Sequence, residues 1–242
     1  MIVLSVGMPR AGSGWHYNLI HDLLKTGGSQ DSREIRKRYH LEGILTEVNC
    51  NIGVLSIRRL AILLRPALLG NTFVIKAHSA PTVASRLLHR LGLLRITYIY
   101  RDPRDAMLSA YEYGKRAILK GRPNAFSHLT DFDSTLKFML DYVHIWQTWI
   151  KEKNVLAARY EDLLSDYERE STRLVNYLQL YPDSITVRKV ISDYSPAAVE
   201  GQTGLHFYKG KIGRFRQEYD SEQQARLILK FGKFLPLMGY SV

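Results

Sequence analysis

The sequence predicts an α/β fold of three layers, in which a central, mostly parallel sheet lies between two layers of helices. Short runs rich in Val, Ile and Tyr do not alternate with polar residues, which is typical of strands covered on both faces. Helical patterns separate these runs, and strands that alternate with helices favour a parallel sheet. The 242 residues are 45% hydrophobic and 24% charged. No Gly-, Ser- or Pro-rich linker divides them, so we expect a single domain over 1–242.

Four apolar runs are the predicted strands, at residues 2–7, 72–78, 95–101 and 154–162. The first is followed by an apolar stripe that starts at Trp15 and stops at Gly27 and Gly28, which predicts a helix with a glycine end. Residues typical of helix starts precede the remaining helical patterns: Thr82 before Val83, Leu87, Leu88 and Leu91; Asp102 with Pro103; Asp131 or Asp133; and Ser221 with Gln224 as a capping box.

Composition narrows the class of protein. The formal net charge of +11 indicates a polyanionic partner, such as a phosphorylated cofactor or an acidic glycan. No nucleic-acid-binding motif is present, so we expect no nucleic-acid partner. Cys50 is the single cysteine, which excludes an intrachain disulfide and agrees with a reducing compartment. No stretch approaches the roughly 20 apolar residues of a membrane span, and the N-terminus does not resemble a signal peptide. We therefore expect a cytoplasmic protein with no membrane partner.

The first predicted strand runs into a glycine loop, Gly7 to Gly14, and then into a helix that starts near Ser13. Glycines let backbone N–H groups point inward, and a helix N-terminus favours a bound anion. Ser13 stands where a nucleoside triphosphatase loop has its lysine, and Arg10 is the nearby cation. Because the Lys-Ser/Thr pair that holds phosphate and Mg²⁺ is missing, the loop favours an anion that needs no metal.

A second anion pocket is predicted at the end of the third strand. Arg101 stands at the carboxyl end of that strand, and Ser109 follows on the helix that Asp102 caps. If that helix turns Ser109 back to the strand end, a guanidinium and a hydroxyl converge there.

These two segments together resemble the sulfotransferase family. Its P-R/K-x-G-x-x-W loop holds the 5′-phosphosulfate of 3′-phosphoadenosine 5′-phosphosulfate (PAPS), and its R-[ND]-P-x-D-x-x-x-S segment holds the 3′-phosphate. The resemblance implies a P-loop-like phosphosulfate-binding loop made of Arg10, Ala11, Gly12, Ser13, Gly14 and Trp15, and a 3′-phosphate site made of Arg101 and Ser109. Trp15 would stack on adenine, or it packs in the core.

Three further segments carry the same resemblance. FVIKAHSAP is similar to the family's K-x-H-x-x-P strand, which implies that His78 is the catalytic base and that Lys76 stabilises the transferring group. ARYEDL implies a nucleotide contact from Tyr160. YKGKIGRFR resembles the family's lid, which implies cofactor contacts from Tyr208, Lys209 and Gly210. The sequence departs from the family at Ala11, Gly14 and Tyr208, which replace a serine, a hydroxyl residue and the lid arginine; Lys211 and Arg214 are the candidate substitutes for that arginine.

The resemblance implies sulfonyl transfer from PAPS to a hydroxyl or amine by in-line displacement. His78 would act as the general base, Arg10 and Lys76 would stabilise charge, and 3′-phosphoadenosine 5′-phosphate (PAP) would be the product. No metal is expected. The acceptor is a small molecule or a glycan, bound by the irregular insertions at 29–71 and 115–135, and the protein is a monomer or homodimer. The alternatives are a P-loop phosphotransferase and a metal-independent protein that binds polyanions or nucleotides.

Overall fold

The computed structural model of the protein describes residues 1–199 and 211–242. The predicted cofactor contacts Tyr208, Lys209 and Gly210 therefore lie outside the described residues.

The sheet has four parallel strands in the order β2-β1-β3-β4, which confirms the predicted architecture. The strands are β1 Ile2–Gly7, β2 Phe73–Ala77, β3 Leu94–Tyr100 and β4 Val155–Arg159. Every residue of β1 and β2 is buried, as expected for strands with helices on both faces. The chain passes from β1 outward to β2 and then back to the other side of β1. In such sheets ligands bind beyond the carboxyl ends of the strands, where this reversal opens a crevice.

Helices cover both faces of the sheet. In the described residues they are α1 Ser13–Thr26, α2 Ser32–Arg38, α3 Ile57–Leu68, α4 Val83–Arg90, α5 Pro103–Leu119, α6 Phe132–Ile150, α7 Tyr160–Ser165, α8 Tyr167–Leu178, α9 Ile185–Asp193, α10 Pro196–Val199, α11 Phe215–Glu218 and α12 Ser221–Phe231. β-α-β connections are right-handed. Two connections that run in opposite directions along the sheet therefore place their helices on opposite faces. One layer contains α1, α8 and α9, and the other contains α4 and α6. Helix α3 belongs to the same connection as α1 but packs on α4.

The predicted helix starts are correct at three positions and wrong at one. Thr82 and Asp131 each form a capping box, and Asp102 caps α5 directly before Pro103. At α12 the capping box is Asp220 with Gln223, one residue before the predicted pair Ser221 and Gln224. Aspartate is at least as strong a cap as serine, and its carboxylate accepts the Gln223 backbone N–H at 2.8 Å.

The region 29–71 was expected to be irregular, and this is wrong, because it contains α2 and α3. The exposed surface of the neighbouring helix α4 carries Val83, Leu87 and Leu91, so that most of its apolar residues face solvent. Among the helices of the described chain, none has both the length and the apolar content that crossing a bilayer requires.

Candidate active site

The glycine loop connects the end of β1 to the start of α1. It begins beside β3, where the Met8 backbone N–H donates to the Ile99 carbonyl oxygen at 2.9 Å. Arg10 and Gly12 have φ values of 63° and 76°, and these left-handed backbone conformations direct the chain into α1. No side chain of the described residues caps the N-terminus of α1. The N–H groups of its first turn and its positive dipole end therefore form a cradle for an anion.

Gly12 is fixed by the neighbouring Tyr160 as well as by its own backbone conformation. A Cβ at this position would lie 2.8 Å from the Tyr160 ring, inside any real contact distance. Tyr160, the first residue of α7, is buried between the loop and the guanidinium of Arg101, which lies 4.8 Å from the ring centroid. The glycine loop and Tyr160, the predicted nucleotide contact, thus pack directly together.

Arg10 joins the loop to α5. Its guanidinium lies 4.2 Å above the Tyr113 ring centroid, and its Nε donates to Ser109 Oγ at 3.2 Å. Ser109 thus bonds to Arg10, whereas the sequence pairs it with Arg101. Burial lowers the pKa of Arg10 to about 10, so the side chain remains a cation at neutral pH.

His78 follows β2 and is hydrogen-bonded to the glycine loop. Its Nδ1 lies 2.6 Å from the Gly7 carbonyl oxygen. Because a carbonyl only accepts, Nδ1 carries the proton and Nε2 holds a lone pair. Burial, and then the charge of Lys76, lowers the pKa of His78 to about 4. The imidazole is therefore neutral at physiological pH, with an unprotonated Nε2.

Lys76 is buried near the end of β2, two residues before His78. Burial, and then the charge of Arg10, lowers its pKa to about 8, which leaves it mostly protonated at pH 7. A second histidine lies close to it: His16 on α1, whose Nδ1 is 3.3 Å from Ser5 Oγ, and Ser5 pairs with Lys76 in the sheet. Burial, and then Lys76, lowers the pKa of His16 to about 3. His16 was not predicted from the sequence, although it follows Trp15 directly.

Arg101 is held by the polypeptide that follows the undescribed segment. Its Nη2 donates to the Lys211 carbonyl oxygen at 2.8 Å and to Asp105 Oδ2 at 3.3 Å. Asp105 also accepts backbone N–H groups from Gly213 and Phe215, at 2.7 and 3.0 Å. Arg101 Nε is buried and has no hydrogen-bond partner among the described residues. A buried, unpartnered guanidinium N–H is a donor that fits an anionic ligand.

Asp105 was not assigned a role from the sequence, although it lies four residues after Arg101, one helical turn away. Arg214 lies between the two residues that Asp105 holds. Its guanidinium donates two hydrogen bonds to Glu112, of 2.5 and 3.1 Å. The carboxylates of Asp105 and Glu112 on α5, together with the Arg101 guanidinium, therefore hold residues 211–215 in place.

Trp15 lies in a small core cluster beside the loop. Its indole N–H donates to the Tyr194 carbonyl oxygen at 2.9 Å, and its ring stacks on Tyr167 at a centroid distance of 6.0 Å. Trp15 thus contributes core packing, and its contact with adenine remains a prediction. In the described chain, no three His, Cys, Asp or Glu side chains are grouped so that they could hold a metal ion.

We expect Asp105→Asn to loosen residues 211–215 and to lower the free energy of unfolding by about 1–3 kcal/mol, because an amide N–H₂ would face a backbone N–H that the carboxylate now accepts. Urea denaturation gives the stability change, and limited proteolysis gives the cleavage rate within 211–215. Asp141→Asn on the exposed surface of α6 is the matched control. Equal stability and equal cleavage of the two variants would contradict the role of Asp105.

Comparison with known proteins identifies the family of the chain. The family model described as the sulfotransferase domain matches residues 2–227. Rat (Rattus norvegicus) sulfotransferase 1E1 is 31% identical over 107 residues, which is 42% of this chain and 36% of the rat protein. Human (Homo sapiens) sulfotransferase 2A1 is 26% identical over 88 residues, or 35% of this chain and 31% of the human protein. The chain spans about a third of the length of these curated relatives.

Solved structures share the fold. The mouse sulfotransferase SULT7A1 complexed with PAP superposes with a TM-score of 0.64 at 17% identity, covering 97% of this chain and 84% of the mouse chain. Retinol dehydratase in complex with androsterone and the inactive cofactor PAP superposes with a TM-score of 0.60 at 18% identity, covering 96% and 80% of the two chains. Since the family model covers most of the sequence, the chain belongs to the sulfotransferase family.

Proposed function

We propose that the protein is a PAPS-dependent sulfotransferase that transfers a sulfonyl group to a hydroxyl or amine of a small-molecule or glycan acceptor. The observation that carries the proposal is the 2.6 Å hydrogen bond from His78 Nδ1 to the carbonyl oxygen of Gly7. It ties a neutral histidine base to the first residue of an anion-binding loop. A protein that only binds polyanions needs no such base.

The described residues fit PAPS at two places. The first is the uncapped N-terminus of α1 with Arg10, which would hold the 5′-phosphosulfate. The second is Arg101, whose buried Nε lacks a partner among the described residues and would donate to the 3′-phosphate. When bound, PAPS supplies the activated sulfonyl group, and PAP is left after transfer.

His78 would take the proton of the acceptor hydroxyl or amine at Nε2. The bond from Nδ1 to Gly7 fixes the tautomer and the orientation of the ring, so no rearrangement precedes the proton transfer. The low pKa keeps Nε2 free of a proton at neutral pH.

Lys76 and Arg10 would stabilise the negative charge that develops on the leaving oxygen. Lys76 is buried, and Arg10 is a half-buried residue of the loop itself, oriented by Ser109 and Tyr113. At comparable sites one oriented donor contributes about 2.7–4 kcal/mol to transition-state stabilisation.

Lys211 is the better substitute for the lid arginine that the sequence lacks at position 208. Arg214 is bound to Glu112 and also to Glu218, at 3.3 Å, so its charge is already compensated. Lys211 is exposed directly beside Arg101, to which it gives its carbonyl oxygen. We therefore assign the second cation of the 3′-phosphate site to Lys211.

We expect kcat/KM to fall below about pH 4 and above about pH 8, because His78 must be neutral and Lys76 must be protonated in the free enzyme. Lys76→Arg should remove the alkaline limb and leave the acid limb in place. Initial rates across pH measure both limbs, with tryptophan fluorescence as the control for unfolding. An unchanged alkaline limb in Lys76→Arg would contradict the role of Lys76.

The function itself is tested by incubating the full chain with radiolabelled PAPS and a pool of alcohols, phenols, amines and glycans. Transfer of label without added metal supports the proposal. Binding of PAP without turnover on any acceptor would favour the nucleotide-binding alternative. Mg²⁺-dependent transfer from radiolabelled ATP would favour a phosphotransferase.

A further inference from the structure

Two neighbouring helices expose large aliphatic side chains on one surface. These are Ile57, Leu68 and Leu69 on and just after α3, and Val83, Leu87 and Leu91 on and just after α4. We call this surface the α3–α4 face. Its members are 55–81% exposed, so none of them contributes a buried side chain to the core.

The apolar side of helix α3 extends beyond the part that packs on the core. Leu60 and Leu63 are buried against the core, while Ile57 and Leu68 lie in solvent at 76% and 70% exposure. A surface helix normally has a polar outer side, and a contiguous exposed apolar patch marks an interaction surface.

The two helices are joined at their N-termini. Thr82, the cap of α4, donates its hydroxyl to the Leu55 carbonyl oxygen at 2.7 Å, directly before Ser56, the cap of α3. The first residues of the two helices, Ile57 and Val83, therefore begin from one point, and the helices pack on each other. The aliphatic side chains thus form one surface across two elements.

The charge of this region has one sign. Helices α3 and α4 contain five Arg residues and no Asp or Glu. Arg58, Arg65 and Arg90 are exposed beside the aliphatic side chains, and none of them forms an ion pair with another residue in the described ranges. The α3–α4 face is therefore both apolar and cationic.

We propose that the α3–α4 face docks on the surface of a membrane that contains anionic lipids. Leu68, Leu69 and Leu87 would enter the boundary between headgroups and acyl chains, and the three arginines would pair with lipid phosphates. This differs from the sequence-based expectation of no membrane partner, and it needs no membrane-spanning helix. It is independent of the proposed function.

Other occupants fit the face less well. A second copy of the chain would bring these arginines against each other without a carboxylate from the same face. Hot spots of protein–protein interfaces are enriched in Trp and Tyr as well as Arg, and the helices α3 and α4 contain no Phe, Tyr or Trp. Aliphatic side chains between arginines match a lipid interface better.

The test is co-sedimentation of the full chain with phosphatidylcholine vesicles and with vesicles that also contain phosphatidylglycerol. We expect at least tenfold tighter binding to the anionic vesicles, and at least a tenfold loss of that binding in Leu68→Glu/Leu87→Glu. Arg58→Gln/Arg65→Gln should lose the preference for anionic lipid. Ile185→Glu, at an exposed aliphatic residue of α9, is the matched control and should bind like wild type. Thermal melting of each variant shows that it is folded.

Three results would overturn the proposal. One is a wild-type chain that binds neither vesicle. Another is an equal loss of binding in Ile185→Glu and in Leu68→Glu/Leu87→Glu. The third is a dimer in sedimentation velocity that the Leu68→Glu/Leu87→Glu variant dissociates, since a second copy would then be the occupant.

Discussion

Replacing His78 with Ala is expected to lower kcat for sulfonyl transfer by about 10²–10⁴-fold and to leave PAP affinity nearly unchanged. The variant removes the only proton acceptor that the proposed mechanism uses. It leaves in place the glycine loop, Arg10 and Arg101, which would hold the nucleotide. A large loss in kcat with little change in binding is the signature of a group that acts in the transition state.

The measurement combines initial rates of label transfer with isothermal titration of PAP. His89→Ala is the matched control, because the His89 ring also lies against backbone carbonyl oxygens, those of Leu94 at 2.8 Å from Nδ1 and Lys153 at 2.7 Å from Nε2, but it lies on α4. It should keep wild-type kcat even if its stability falls. Full turnover in His78→Ala would refute the base assignment. Loss of PAP binding in His78→Ala would mean that the bond to Gly7 shapes the loop and that His78 is a positioning residue.

Arg101→Ala is expected to remove the preference for PAP over adenosine 5′-phosphate. Wild type should bind PAP more tightly, because only PAP has the 3′-phosphate that Arg101 Nε would meet. Hydrogen bonds to charged groups contribute about 1.5–3 kcal/mol each, so PAP affinity should fall about 10–100-fold. Affinity for adenosine 5′-phosphate should change little. Titration of both nucleotides into both proteins measures the four values.

Arg95→Ala is the control for this prediction. Arg95 lies on the same strand, β3, where it donates to the Tyr177 carbonyl oxygen at 3.1 Å, and it should leave both affinities unchanged. Equal loss of both nucleotides in Arg101→Ala would contradict the prediction. It would indicate that Arg101 acts through Asp105 and residues 211–215 instead of through the 3′-phosphate.

The sheet could be predicted from the sequence because local composition determines it. The strands need only short runs of β-branched and aromatic residues, and the observed bounds differ from the predicted ones by at most three residues at either end. Helix α3 was missed although it has an apolar stripe, because it contains Pro66, and a proline within a helical pattern usually indicates the end of a helix. The cap of α12 was misplaced because Asp220 and Ser221 are both good caps.

The candidate site was predicted from motifs, and its chemistry came from contacts between distant residues. The sequence placed His78 and Lys76 on one strand, but the tautomer of His78 follows from its bond to Gly7, 71 positions earlier. Ser109 is bonded to Arg10, 99 positions away, and no spacing rule selects that partner over Arg101. The buried pair Ser5 and His16 gave no signal, since an isolated histidine in a helix is usually structural.

The bonds from Arg101 and Asp105 to residues 211–215 also bear on how the protein folds. These contacts join positions 108–110 residues apart, so they belong to the slowest class of native interactions to form. During synthesis the strands β1 to β3 and the phosphate loop emerge on the order of ten seconds before the residues that hold Arg101 and Asp105. Until then the charged groups of Arg101 and Asp105 stay hydrated, and the crevice beside them stays open. The proposed 3′-phosphate site would therefore be completed last, and a chain stalled before residue 211 would have a formed sheet but would lack the residues that hold Arg101 in place.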